Sequence, residues 1–444
     1  MGKKKMMKHW MRPAKLAVAV ALVAGSAFGF GSTIGMNTPA RSLTREAIAK
    51  LPKSEQKAWL DYLVRSERQR AADKAALAAE VKAAGVATPT EPAHGYSARS
   101  VPLERESAWY ATAEARQIAD NLTTYQTPAG GWGKNMDMAH EPRKTGERYA
   151  PNNISHFLSA DDYDKPAEPD WNYIGTLDND ATTTQLNFLA KVIGAAGSAD
   201  TAKWRASYAK GIEYLLAAQY PNGGWPQVWP LEGGYHDAIT YNDDAVTQAM
   251  ELMHNTAEAT GDFSFAPKPL RVRAAASFER AMKCTLASQI KEGGKLTGWA
   301  QQEDMLTLEP VSARNYEMPA ISSGESASVL LMLMECLPHP TAAEQAAIRS
   351  MAAWFQKTAV YGQSYQRTPN GRALVAAPGA GPIWSRYYQI GTDRAIFGDR
   401  DKTIHDSVGD LSLERRNGYS WFGAEPKRAL ERYAEWQKQF PEQK

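Results

Sequence analysis

Cysteine is nearly absent. Cys284 and Cys336 are the only two in 444 residues, so no disulfide framework holds this fold together. Both sit in apolar helical runs, where two buried free thiols account for them as well as a pair would. An excess of charge of one sign is missing too. Lys plus Arg number 51 against 49 Asp plus Glu, which leaves no uniform positive field to recruit nucleic acid. The chain has no Gly-x-Ser-x-Gly, no HExxH, no Cys–His pairing and no phosphate-cradling glycine loop. Its eight histidines are scattered without ligand spacing. Strand-type alternation is scarce, apart from short possible hairpins around residues 382–388.

Long hydrophobic runs are limited to one, at residues 16–30, preceded by Lys3, Lys4, Lys5, Lys8, Arg12 and Lys15. That is the pattern of a secretory leader, and its core is short for a membrane span. The expected organisation is a signal peptide over 1–29, cleaved near Ala27 or Gly29, then an Ala-rich charged helical extension and linker over 30–103. A main domain over 104–444 follows. Six basic residues and no acidic one fall in the leader, so its loss carries the formal charge from +2 to about −4. The mature protein is expected to be secreted or periplasmic, monomeric, free of the membrane and without a nucleic-acid partner.

What the chain does have is repetition. Segments 176–181 (TLDNDA), 240–245 (TYNDDA) and 323–327 (SGESA) each open a long apolar-periodic run. The first two follow a second shared phrase, 126–132 (QTPAGGW) and 219–225 (QYPNGGW), whose tryptophans stand 93 residues apart. A degraded third copy runs through 289–299. Leu186, Leu189, Ala190 and Ile193 keep the i, i+3, i+4, i+7 spacing of a buried helix face, as do Val246, Ala249, Met250 and Met253, and Leu330, Leu333, Met334 and Leu337. Helix pairs repeated about three times predict an all-α fold, an α/α barrel or toroid with irregular loops and a few short strands.

Asp180, Asp244 and Ser326 immediately precede the alanines that begin those runs, where N-caps belong. Capping leaves Asp178, Asn179, Asn242, Asp243 and Glu325 unexplained. Carboxylates converging on one spot repel unless a cation lies between them, and hard oxygen donors without a Cys/His set suit Ca²⁺. Arg314, Arg386 and Arg400 stand in loops beside tyrosine or tryptophan, the combination that holds carboxylated sugars. Lys134 and Asn135, after the first GGW, are placed to reach the same cleft. For Arg394, Arg415 and Arg416 ordinary ion pairing is an equal account. Trp132 and Trp225 read as packing wedges.

Taken together, GGWGKN at 130–135, TLDNDATTTQLNFLA at 176–190, NGGWPQVWP at 222–230, ITYNDDA at 239–245, ARNYEMPAISSGES at 313–326 and WSRYYQIGTDRAIFGDRD at 384–401 resemble the polysaccharide lyase family 10 pectate lyases. The resemblance spans about 104–423. It implies an (α/α)3 toroid with a central cleft and Ca²⁺-assisted β-elimination of polygalacturonate, leaving a 4,5-unsaturated uronate. It further implies that Asp178 and Asn179 form the metal and substrate motif, that Asp243 or Asp244 is a second acidic contributor, and that Arg314 is the base that removes the C5 proton. Arg386 and Arg400 would grip substrate carboxylates, with Lys134, Asn135 and Asn179 also on the substrate. A guanidinium base strains the rule that arginine stays protonated; Lys134 or a polarised water is the alternative. Two other readings remain: an inverting glycoside hydrolase using Glu325 and an aspartate, and a non-catalytic uronan-binding protein.

Overall fold

The computed structural model describes residues 33–95, 101–155, 159–197 and 200–442; the leader expected at 1–29 lies outside them. Helices alternate between an outer and an inner position. The outer helices Ala113–Tyr125, Ala202–Ala218 and Lys268–Ser288 are each followed by an inner one, Thr183–Ala195, Ala245–Glu258 and Ser323–Cys336. The inner helices pack side by side and carry the predicted apolar faces inward. Of those face residues only Leu337 is less than fully buried. This is the expected (α/α)3 arrangement, and a fourth pair, Ala342–Thr358 with Glu425–Gln439, packs on Ser323–Cys336.

A repeated hydrogen bond explains the recurring tryptophans. Trp132 Nε1 donates to the Leu122 carbonyl at 2.8 Å, Trp225 to Leu215 at 2.8 Å, Trp299 to Thr285 at 2.7 Å and Trp384 to Phe355 at 2.9 Å. Each acceptor lies three residues before the end of its outer helix, among its last four carbonyls. Gln126, Gln219 and Gln289 do the companion work, each donating to the carbonyl of its own loop and to one on the next outer helix. The third copy at 289–299 is thus a full member of the repeat. All four indoles are completely buried, so they act as wedges and not as sugar platforms; Trp229 is buried as well.

The segment before the repeats joins the same body. Lys53–Ala84 is one helix of 32 residues. Its Trp59 and Tyr62 rings pack tilted against Tyr220 with centres 5.2 and 4.7 Å away, and Tyr62 donates to the Ala218 carbonyl at 2.8 Å. These rings belong to the principal hydrophobic core. Strand Thr33–Met36 pairs antiparallel with Thr403–His405. Cys284 and Cys336 are buried and free, and burial pushes each thiol up to about 12. Among the described residues no helix is long and apolar enough to cross a membrane.

Candidate active site

The repeat that builds the scaffold also builds the cleft. The main chain just before each inner helix hydrogen-bonds to the residues around the buried tryptophan: Thr176 N to Trp132 O, Thr240 N to Trp225 O and Ser322 N to Trp299 O, at 2.9, 3.2 and 2.8 Å. Along extended chain, side chains two apart share a face. The residues two after the tryptophans, Lys134, Gln227, Gln301 and Arg386, all reach polar groups at the inner-helix starts. Lys134 forms a short ion pair with Asp178, and Gln227 donates to Asp178 Oδ1 at 2.8 Å. Gln301 makes a short bond to Asn242 Oδ1, which also accepts Arg386 at 3.1 Å.

The acidic openings share one backbone conformation. Asn179 and Asp180 have φ of 51° and 60°, Asp243 and Asp244 have 50° and 59°. Left-handed backbone at four non-glycine residues is strain that the surroundings must impose, and such strain collects at functional sites. It brings the loops Asp178–Asp180 and Asn242–Asp244 into contact. This overturns the capping expectation. Thr182 and Ser322 occupy the N-cap positions of the first and third inner helices without a side-chain cap bond, and Asp244 is an N-cap whose side chain does not cap. Asp180 instead accepts Gln248 at 2.7 Å, and Ser326, inside its helix, accepts the Trp299 amide at 2.9 Å.

Asp178 and Asp243 face one another as a carboxylate pair. Burial alone would raise Asp178, but the Lys134 charge and hydrogen bond carry it below its ordinary value. Burial and the neighbouring Asp178 anion push Asp243 up to about 7. Asp244 turns elsewhere. Burial raises it to about 6 while Ser328 bonds to it, with Glu325 and Asp180 as its charged neighbours. The two aspartates that sequence left interchangeable therefore have different surroundings, and Asp243 is the one opposite Asp178. Asn135, itself at φ 59°, accepts Asn179 Nδ2 at 3.2 Å and donates to Asn153 at 2.9 Å. An open cavity of about 730 Å³ is lined by Asn135, Asn153, Asn179, Asp243 and Asp244. A smaller one adjoins it at the same two aspartates and reaches Glu325 and Arg386.

The basic wall stands across from the pair. Arg386 Nη2 donates to Glu325 at 2.9 Å and its guanidinium lies 4.8 Å from the Tyr419 ring centre. Arg314 Nε donates to Glu317 at 3.0 Å and Nη1 to the Tyr316 hydroxyl at 3.1 Å. Its side chain is 34% exposed whereas Glu317 is 1%. The Arg314 charge favours ionisation of both Asp178 and Asp243. Burial opposes the Arg314 charge, but Glu317 and its neighbours outweigh it and hold the guanidinium well above its ordinary value. Arg400 is set to one side, paired with Glu414 at 2.8 Å and over Tyr316 at 5.3 Å; Arg415 packs on the same ring at 4.2 Å. Sequence reasoning missed Gln227, Gln301 and Glu317. The first two were findable as the residues two after GGW and TGW, the third only through the fold.

Among the described residues no three Cys, His, Asp or Glu side chains gather into a complete metal cage. The donor set does fit a hard dication that draws its remaining ligands from substrate and water: two facing carboxylates, one disfavoured as an anion by the other. Gln227 and Lys134 each engage one Asp178 oxygen, and an ionised carboxylate oxygen keeps a second lone pair.

Guanidinium groups ranged opposite buried carboxylates on an (α/α)3 scaffold suit an acidic polysaccharide, and the family match makes the protein a polysaccharide lyase. Residues 126–430 match the pectic acid lyases, and the chain belongs to that family. Among solved structures, the family 10 polysaccharide lyase from Cellvibrio cellulosa is similar at 29% identity, with a TM-score of 0.62 over 78% of this chain and 98% of that one. A mutant of that lyase, in complex with trigalacturonic acid, is similar at 28% identity, with a TM-score of 0.63 over 78% of this chain and 100% of the other. No curated protein matches the chain. The hydrolase and simple-binder readings fall with this assignment; Glu325, the acid the hydrolase reading needed, is held by Arg386 and by a short bond from Ser322.

Proposed function

We propose that this lyase cleaves polygalacturonate by calcium-dependent β-elimination, outside the cytoplasm, releasing 4,5-unsaturated oligogalacturonates. The observation that carries the substrate class is the trigalacturonic acid bound by its structural neighbour, together with arginines on the wall opposite Asp178 and Asp243. The leader pattern at 1–29 supports export.

Asp178 and Asp243 would hold the ion, with Asp244 left to Ser328. When bound, calcium supplies positive charge beside the uronate carboxylate as the C5 proton leaves, and cancels the two anions facing Arg314. Arg386 and Arg400 bind substrate carboxylates, Lys134, Asn135 and Asn179 orient the sugar, and Arg314 takes the C5 proton in its neutral form. Glu317 works against that form in the resting site, so the base depends on the cleft being filled. The test is incubation with polygalacturonate, following the ultraviolet absorbance of the unsaturated product. Absorbance that chelator abolishes and added calcium restores supports the reading. New reducing ends without absorbance refute elimination, and chelator-insensitive absorbance refutes the calcium requirement.

A further inference from the structure

The span matched to the family begins at residue 126, yet a segment near residue 37 runs beneath the loop that carries Arg314. Strand Thr33–Met36, paired with Thr403–His405, delivers Asn37 to that position. Asn37 is 4% exposed. Its side-chain amide donates to three main-chain carbonyls of the loop: Arg314 at 3.2 Å, Asn315 at 3.0 Å and Glu317 at 3.3 Å. The rest of the residue is fixed as well. Its amide donates to the Lys402 carbonyl at 2.8 Å, its carbonyl accepts the Tyr163 hydroxyl at 2.9 Å, and its Oδ1 accepts the Thr38 amide at 3.0 Å. Ser312, at the start of the loop, makes a short bond to the Thr38 carbonyl. Arg41 grips Asp304 with two bonds of 2.6 and 2.7 Å, anchoring the segment further along.

Residues 312–319 form neither helix nor strand. Within the loop, Ala313 N bonds to Glu317 O at 3.0 Å and Glu317 N to Arg314 O at 2.9 Å. Such a turn fixes its own shape but not its place on the scaffold. Asn315, bonded to the Arg400 carbonyl at 2.7 Å and the Tyr163 amide at 3.0 Å, and Glu317, bonded to the Tyr419 hydroxyl at 2.7 Å, fix the side-chain end of the loop. Asn37 fixes its main chain, because a side-chain amide with two N–H hydrogens and one acceptor can serve converging carbonyls on one side and a main-chain amide on the other.

We infer that Asn37 is a positioning residue for Arg314, so that the N-terminal segment, outside the matched span, is part of the catalytic apparatus. The inference rests on Arg314 acting in proton removal. A displacement of the base by about 1 Å costs up to about 100-fold in rate, whereas substrate held by other arginines binds as before.

The test is steady-state elimination by the full-length mature enzyme carrying Asn37→Ala, with Asn37→Ser, which keeps one donor, as the milder variant should the first not fold. Circular dichroism and trigalacturonate binding establish the folded, binding-competent fraction. The expected result is a kcat per binding site lowered about 10- to 100-fold in Asn37→Ala, less in Asn37→Ser, with KM within about twofold of the parent. A purely structural role would lower the competent fraction and leave kcat per site at the parental value, and that result overturns the inference. So does a loss of substrate binding equal to the loss of rate. Arg314→Lys, measured alongside, separates the two levels: if it retains turnover the base assignment fails, and if it is inactive while Asn37→Ala is not, only the positioning role fails.

Discussion

Glu317 receives Arg314 twice through one oxygen: the Arg314 amide and its Nε both donate to Oε2, each at 3.0 Å. The other oxygen accepts the Tyr419 hydroxyl at 2.7 Å. Main chain and side chain of Arg314 are thereby tied to one buried carboxylate, which fixes the direction of the guanidinium and its charge together. Burial would lift Glu317, but Arg314 and these hydrogen bonds hold it below the usual carboxylate range.

Arg314→Lys keeps the positive charge and loses the planar fork. Turnover on polygalacturonate is expected to fall about 100-fold or more, with trigalacturonate affinity by calorimetry nearly unchanged. Parental turnover would remove Arg314 from proton transfer.

Asp178→Ala deletes one of the two facing carboxylates and strands Lys134 and Gln227. The calcium concentration for half-maximal activity is expected to rise roughly 10- to 100-fold. A calcium titration superimposable on the parent's excludes Asp178 from the ion site.

Trp299→Phe keeps an aromatic six-membered ring and removes the indole N–H, leaving the Thr285 carbonyl with only the longer bond from the Ser288 hydroxyl at 3.3 Å. A loss of about 1–3 kcal/mol is expected in urea unfolding. No change in the midpoint would mean that this carbonyl finds another donor and that the repeated bond is dispensable.

Glu251 lies on an inner helix, and burial, with Glu335 and Asp244 nearby, pushes it up to about 7 from an ordinary 4.5. Its folded value exceeds its unfolded one, so the protonated form contributes stability that is complete below about pH 4.5 and lost as pH rises through about 7. Glu251→Gln should therefore melt higher than the parent above neutrality, with the gap closing toward pH 4.5. A gap that is constant with pH contradicts the shift.

The architecture was legible because its signals are local. A Gln and a Trp around a turn are read within a dozen residues, and three copies announce repeated helix pairs. The fourth escaped because Trp384 lacks the preceding Gly-Gly and the matching glutamine, although its indole makes the same bond. The capping error has a local cause as well: the side chains of Asp180 and Asp244 are turned aside by left-handed backbone, and composition does not report φ. What lay beyond reach was contact across the chain. Asn37 meets the Arg314 loop over a separation of 277 residues, and the gathering of Arg314, Arg400 and Arg415 around Tyr316 joins loops that share no phrase.

The paired loops 178–180 and 242–244 are the same turn used twice with two letters exchanged: Asp178 corresponds to Asn242, and Asn179 to Asp243. Had both copies kept one spelling, their anions would be related by the pseudo-symmetry of the repeat, and the centre would read alike from either direction. A polysaccharide has a head and a tail. The swap gives the centre a head and a tail of its own.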